Sequence, residues 1–222
     1  MIELSRENVV VLIDEKRLDS FDVLVGRDAR LQLAGLWETE LTDLVHYLAL
    51  FVDKDSDGLS ETSSFLTLSS AQHGYILDVD DRIDKLQAQK QIETDLEIIN
   101  RESQWSEKES IYFGGWWPEP SFDRANNTLE FGVFLRDFKN NIINRTMNRI
   151  VLTRYGHLLI NYSLSEAEIS QGKPLSYYQT QLNEVGQAVT VGKGSRYQDV
   201  DENKDVPSRS RMINLLLSSE IF

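Results

Sequence analysis

The residues of this chain whose types and spacing could do chemistry fall in four places. Asp53-Lys54-Asp55-Ser56-Asp57-Gly58 matches the opening of an EF-hand loop, where alternate aspartates and a glycine at the sharp turn aim carboxylates at one Ca²⁺. The position that should supply the closing bidentate glutamate is Ser64, and the flanks read as strands. Asp, Ser and Gly also turn a chain between strands, so Asp53, Asp55 and Asp57 are a candidate calcium site or simply a turn. No other cofactor is suggested. Asp78, Asp80, Asp81 and Asp84 form a second acidic cluster ahead of a helix, where carboxylates cap free N–H groups and complement the helix dipole.

The three histidines, His46, His73 and His157, could serve as general bases, but no Gly-x-Ser-x-Gly elbow accompanies them. His73 and His157 stand beside glycines in turn-like contexts, and His46 lies in an apolar run where a core or edge role is expected. Cysteine is absent, which removes disulfides, zinc–thiolate sites and cysteine nucleophiles. Gly192-Lys193-Gly194-Ser195 lacks the first glycine of a phosphate loop and follows a helix, whereas a phosphate loop precedes one. Arg196, Tyr197, Asp199 and Asp205 crowd together just after it. An arginine with two nearby aspartates either clamps its own loop by charge-assisted hydrogen bonds or holds an anionic or polar ligand. No catalytic residue is singled out.

The elements that must position these groups are organised around Gly114-Gly115-Trp116-Trp117-Pro118-Glu119-Pro120. Proline fixes φ and lacks an N–H, so this stretch is neither helix interior nor central strand. It delivers the chain into Thr128 to Asp137, where Leu129, Phe131, Val133 and Leu135 recur with the period of a half-buried strand. Trp116 and Trp117 are therefore candidate binding residues on an aromatic edge. Downstream, the spacing predicts strands over 142–153 and 158–164, with a turn at 154–157. A helix follows with Ser176 to Gln179 as its capping box, Tyr178, Leu182, Val185 and Val189 on one face, and Gly192 and Gly194 at its end. Upstream come strands at 8–13, 44–52, 65–68 and 75–77, a short helix over 28–37 and a long one from about 80 to 101. This order indicates an α+β fold, an antiparallel sheet with helices packed against it. The chain reads as a single domain, or as two lobes (1–101 and 111–205) joined by a polar linker.

The 222 residues carry a net charge of −13. All of it sits in residues 1–110, with 11 Lys+Arg against 24 Asp+Glu, while residues 111–222 balance at 12 against 12. Such a chain is unsuited to nucleic-acid backbones, which require clustered Lys and Arg, and suits a cationic partner, a metal ion or plain solubility. No apolar run reaches the roughly 20 residues that span a bilayer, and no secretion signal is expected at the start.

One set of blocks resembles a known family. Gly74-Tyr75 precedes Asp80-Asp81 and Ile83-Asp84, then Asn100-Arg101, then Gly115-Trp116 with Pro120 and Phe122-Asp123, then Leu129. Gly194-x-Arg196-Tyr197-x-Asp199 and Asp205 close the series. In order and spacing this resembles the bacterial domain of unknown function 2167 family of uncharacterised membrane-anchored proteins. The resemblance implies a periplasmic or extracytoplasmic domain, anchored by C-terminal membrane segments absent from this sequence, or a cytoplasmic protein if the chain is complete. It implies no activity. The expected function is non-enzymatic: a binding domain beside a membrane, with a protein partner. A soluble immunity or inhibitor protein that neutralises a toxin, and a hydrolase or ligand-binding enzyme built on Arg196, Asp199 and Asp205, are the alternatives.

Overall fold

The computed structural model describes residues 1–6, 8–55, 63–77, 79, 83–106 and 108–217. Its first half contains β1 (Ile2–Arg6), β2 (Val9–Ile13), β3 (Phe21–Val25), α1 (Gly26–Trp37), β4 (Tyr47–Asp53), β5 (Phe65–Gln72) and α2 (Lys85–Glu102). Then follow β6 (Tyr112–Trp116), β7 (Ser121–Asp123), β8 (Thr128–Arg136), β9 (Ile142–Thr153) and β10 (Gly156–Leu164). The last elements are α3 (Glu166–Gln171), α4 (Leu175–Ala188), β11 (Val189–Val191) and α5 (Met212–Leu215).

Antiparallel pairing runs throughout one large sheet in the order β3-β4-β5-β10-β9-β8-β6, with β7 also paired to β8, and a three-stranded sheet β1-β2-β11 lies apart from it. β5 pairs with β10 from Phe65↔Ser163 to Gln72↔Gly156, so strands from both sides of residues 102–110 belong to one sheet. Period-two alternation sends successive side chains to opposite faces. Leu158, Ile160 and Tyr162 of β10 face α4 (Tyr178, Leu182, Val185) and β2 (Val9, Val11, Ile13). Leu159, with Leu129, Phe131 and Ile150, faces the other way, toward Ala88 of α2 and Met212 and Leu215 of α5. α1 buries Ala29 and Leu33 on Tyr47, Leu50 and Phe65. The α+β fold is as the sequence indicates.

The Gly-Trp-Pro stretch splits its tryptophans between the two faces. Trp117 N–H donates to Gly132 O at 2.6 Å and Gly132 N–H to Pro118 O at 2.8 Å, which ties the stretch to β8 between β6 and β7. A Cβ at Gly132 would stand 1.8 Å from Trp117 O, so only glycine permits this approach. Trp116 packs edge-on against Phe113 and Phe131. Trp117 packs edge-on against Tyr178, with the Arg145 guanidinium 4.9 Å above its ring.

Several boundaries differ from the sequence expectation. Tyr75 makes only an isolated parallel bridge to Pro207 where a short strand was expected, because its partner is a loop and not a sheet. α4 begins one residue before Ser176, with Pro174 as N-cap and no side-chain cap. That helix ends at Ala188 and passes directly into β11, so Gly192 and Gly194 shape the loop beyond the strand. The turn after β9 is only Arg154-Tyr155, which leaves His157 inside β10. β1, β3, β6, β7, β11, α3 and α5 have no counterpart in the sequence reading.

Candidate binding clefts around the 192–208 loop

The loop after β11 is fastened by its own side chains. Asp199 accepts from the guanidinium of Arg196 at 3.1 and 3.2 Å and from Gly194 N–H at 2.7 Å. Those bonds, the Arg196 guanidinium first, hold its carboxyl below the usual carboxylate range. Asp205 does not pair with Arg196. It takes a bidentate bond from Arg154, Nε at 2.8 Å and Nη2 at 2.9 Å, and accepts from Asp201 N–H at 2.6 Å. The Arg154 guanidinium holds this carboxyl low as well, and Asp205 in turn raises Arg154. Arg154 also reaches Gly194 O, and its N–H donates to Ser195 O at 2.9 Å, so the two ion pairs brace one turn. The Tyr197 hydroxyl donates to Ile76 O and pins the loop to the sheet side.

Two clefts flank this loop. The larger, about 620 Å³, opens between β8, β9, α4 and β11, and its walls include Asn127, Arg149, Gln187, Arg196, Tyr197 and Gln198. Arg149 there is committed: it bonds Glu130 (Nε at 2.6 Å) and Asn183, and it lies against Gly186, where a Cβ would meet its guanidinium at 1.5 Å. The smaller cleft, about 420 Å³, is lined by His73, Arg154, Tyr155, Lys204 and Asp205. The residues expected to act together are thus divided, with Arg196 and Tyr197 on one side and Asp205 on the other. Trp116 and Trp117 line neither cleft.

Beside the smaller cleft stands a chain that sequence reasoning missed. Ser208 Oγ lies 2.8 Å from His73 Nδ1, and His73 Nε2 lies 2.9 Å from His157 Nδ1. Burial, with the neighbouring His73 ring, pushes His157 down to about 4, and burial lowers His73 too. The order serine–histidine–histidine resembles a catalytic relay, but Ser208 is buried, lines neither cleft, and its hydroxyl accepts the Ser210 N–H at 3.0 Å. Its visible work is mechanical. Tyr75 N–H donates to Val206 O and Ser208 N–H to Tyr75 O, so the relay stitches 73–75 to 206–210. Gly74 permits this contact, since a Cβ there would meet Val206 O at 2.3 Å. The partners are 84 and 135 residues apart, beyond any local spacing signal.

Of the calcium candidates, Asp53 accepts from Asp55 N–H at 2.8 Å, the bond of an aspartate-initiated turn. Asp57, with Asp78, Asp80 and Asp81, lies outside the described residues. Among the described residues no group of three or more His, Asp or Glu could hold a metal ion. Asp84 caps α2 by accepting from Gln87 N–H at 2.9 Å.

The first and last blocks of the family resemblance are therefore neighbours in the fold: Gly74-Tyr75 lies on Val206–Ser208, just past Asp205, and Tyr197 bonds Ile76, just past Tyr75. The family model for proteins of unknown function DUF2167 matches residues 4–213. The chain belongs to this family. No curated protein matches it. Among solved structures it is similar to the solution structure of cyanobacterial PsbP (CyanoP) from Synechocystis sp. PCC 6803, at 10% identity and a TM-score of 0.40, over 85% of this chain and 95% of that one. No described helix is long and apolar enough to cross a membrane.

Proposed function

We propose that this member of the family is a non-enzymatic recognition domain that works outside the cytoplasm beside a membrane and holds a protein partner in its larger cleft. The location is carried over from what the family resemblance implies. The observation that supports a binding role is the state of the cleft's charges. Arg149 is matched by Glu130 and Arg196 by Asp199, while Asn126, Asn127, Gln187 and Gln198 add amide side chains to the wall. Such a surface offers hydrogen bonds to a neutral polar partner, and among its described residues no hydroxyl is hydrogen-bonded to a carboxylate or imidazole of the cleft as a nucleophile–base pair would be.

A photo-crosslinking residue at Gln198, on the cleft wall, tests this in cells, with one at exposed Lys16 on a different surface as control. The expected result is a discrete protein adduct from Gln198 and none from Lys16. Equal or absent labelling at the two positions defeats the reading.

A further inference from the structure

β11 is the edge of its sheet, with β2 on one side. The register shows which backbone groups are already spent. Asp14 N–H donates to Ala188 O at 2.9 Å and Gly192 N–H to Val10 O at 2.8 Å. Between them lie the pairs Val189↔Ile13, Thr190↔Leu12 and Val191↔Val11. Bonded and non-bonded pairs alternate along an antiparallel ladder, so Thr190 directs its backbone groups at β2 while Val189 and Val191 direct theirs away. Val189 N–H is taken by Val185 O at the end of α4. The Val189 carbonyl and both backbone groups of Val191 have no backbone partner among the described residues. All three residues of β11 line the larger cleft.

We propose that this cleft is a strand-addition site, in which an extended segment of a partner protein becomes a fourth strand on β11. The inference rests on the protein-binding reading above and specifies its mode. Three features favour a peptide main chain as the occupant. Val189-Thr190-Val191 carries none of the lysines, prolines or bulges that normally blunt an exposed edge. Its open groups are an acceptor, a donor and an acceptor, the complement of an extended backbone. The cleft lining also supplies Asn127, Gln187 and Gln198, whose amides can bond a peptide, while the arginines are already neutralised and make no demand for an anion. An extended chain rises about 3.3 Å per residue, so a three-residue edge reads roughly three to five residues of the partner.

The probe is a phage-displayed random heptapeptide library, panned on the protein and counter-selected on Val191→Pro. The proline ring occupies the direction of the Val191 N–H and leaves the Thr190–Leu12 pair alone. Peptides that prefer the unmodified protein are then resynthesised with one N-methyl group at each position in turn. Strand addition predicts alternation: the edge offers two acceptors, Val189 O and Val191 O, so binding weakens about tenfold at two peptide positions two residues apart, one backbone hydrogen bond each, and little at the position between them. The Val191 amide shifts on titration in ¹⁵N spectra. Gln187→Trp, at an exposed helical position on the cleft mouth, blocks binding by bulk and covers the case in which Val191→Pro fails to fold by circular dichroism. No peptide preferring the unmodified protein, N-methyl effects without alternation, or shifts confined to the His73 cleft would each overturn the proposal. Should the Gln198 crosslink return a partner whose capture is indifferent to both Val191→Pro and Gln187→Trp, protein binding stands and strand addition falls.

Discussion

Acid should unfold this protein through His157 before it touches the ion pairs of the loop. His157 is 7% exposed in β10, and burial pushes it down to about 4 from an ordinary value of 6.5. A histidine depressed in the fold is neutral there and gains its proton on unfolding. Its contribution is therefore complete above the unfolded value and is lost as pH falls from 6.5 toward 4. The depression is about 2.5 pH units at roughly 1.4 kcal/mol each; integrated over the titration, the loss is about 2.5 kcal/mol at pH 4.5 and about 3 at pH 4. His73 and His46, both lowered first by burial, act in the same direction. The loop carboxylates Asp199, Asp201 and Asp205 lie below their ordinary range, so their losses come at more acid pH and leave the interval from 6.5 to 4.5 to the imidazoles. The assay is urea unfolding at half-unit pH steps for the parent and for His157→Gln. The variant loses about 1 kcal/mol at pH 7 with the relay bond and stays comparatively flat, so the two curves converge and cross as acid is added. A parent-minus-variant difference that holds constant from pH 7 to 4.5 would refute the assignment of the charge-sensitive burial to His157.

Two further outcomes are expected from the close contacts. Gly132→Ala places a methyl against Trp117 O and Thr146 O, at 1.8 and 2.6 Å, so the stretch must leave β8 and thermal unfolding should report a loss of about 3 kcal/mol or more. Arg154→Ala removes the bidentate partner of Asp205, and hydrogen exchange at the Asp201 amide, which Asp205 accepts, should quicken; Arg154→Lys should not restore it, because an ammonium lacks the planar fork. Unchanged exchange in Arg154→Ala would mean the loop is held by its backbone alone.

The strands of the second half were legible because their alternation is strict. Leu129, Phe131, Val133 and Leu135 leave one register for β8, and β9 spans the very residues its pattern indicated. β3, in which Asp22 is the one polar residue between Phe21 and the run Val23-Leu24-Val25, has no such alternation, and its pairing with β4 identifies it instead. The helix after Pro174 shows the limit of local signals. Ser176 has the residue type of a cap, but the rigid φ of the preceding proline starts the helix first. In the same way Arg196 and Asp199 could be paired from sequence because they are three residues apart, whereas the choice between Arg196 and Arg154 as partner of Asp205 could not.

Composition and periodicity by themselves determined the α+β class, the meander of β8 to β10 and the acidic amino-terminal half, since each depends on residue type and short spacing. Tertiary structure alone decided that the two tryptophans serve opposite faces of one sheet, that two histidines and a serine join across the chain, and that β11 keeps an open edge inside a cleft. Those outcomes depend on which surfaces close over one another once the apolar faces are buried. Packing of that kind brings residues together at separations where the chain carries no local record of its partners.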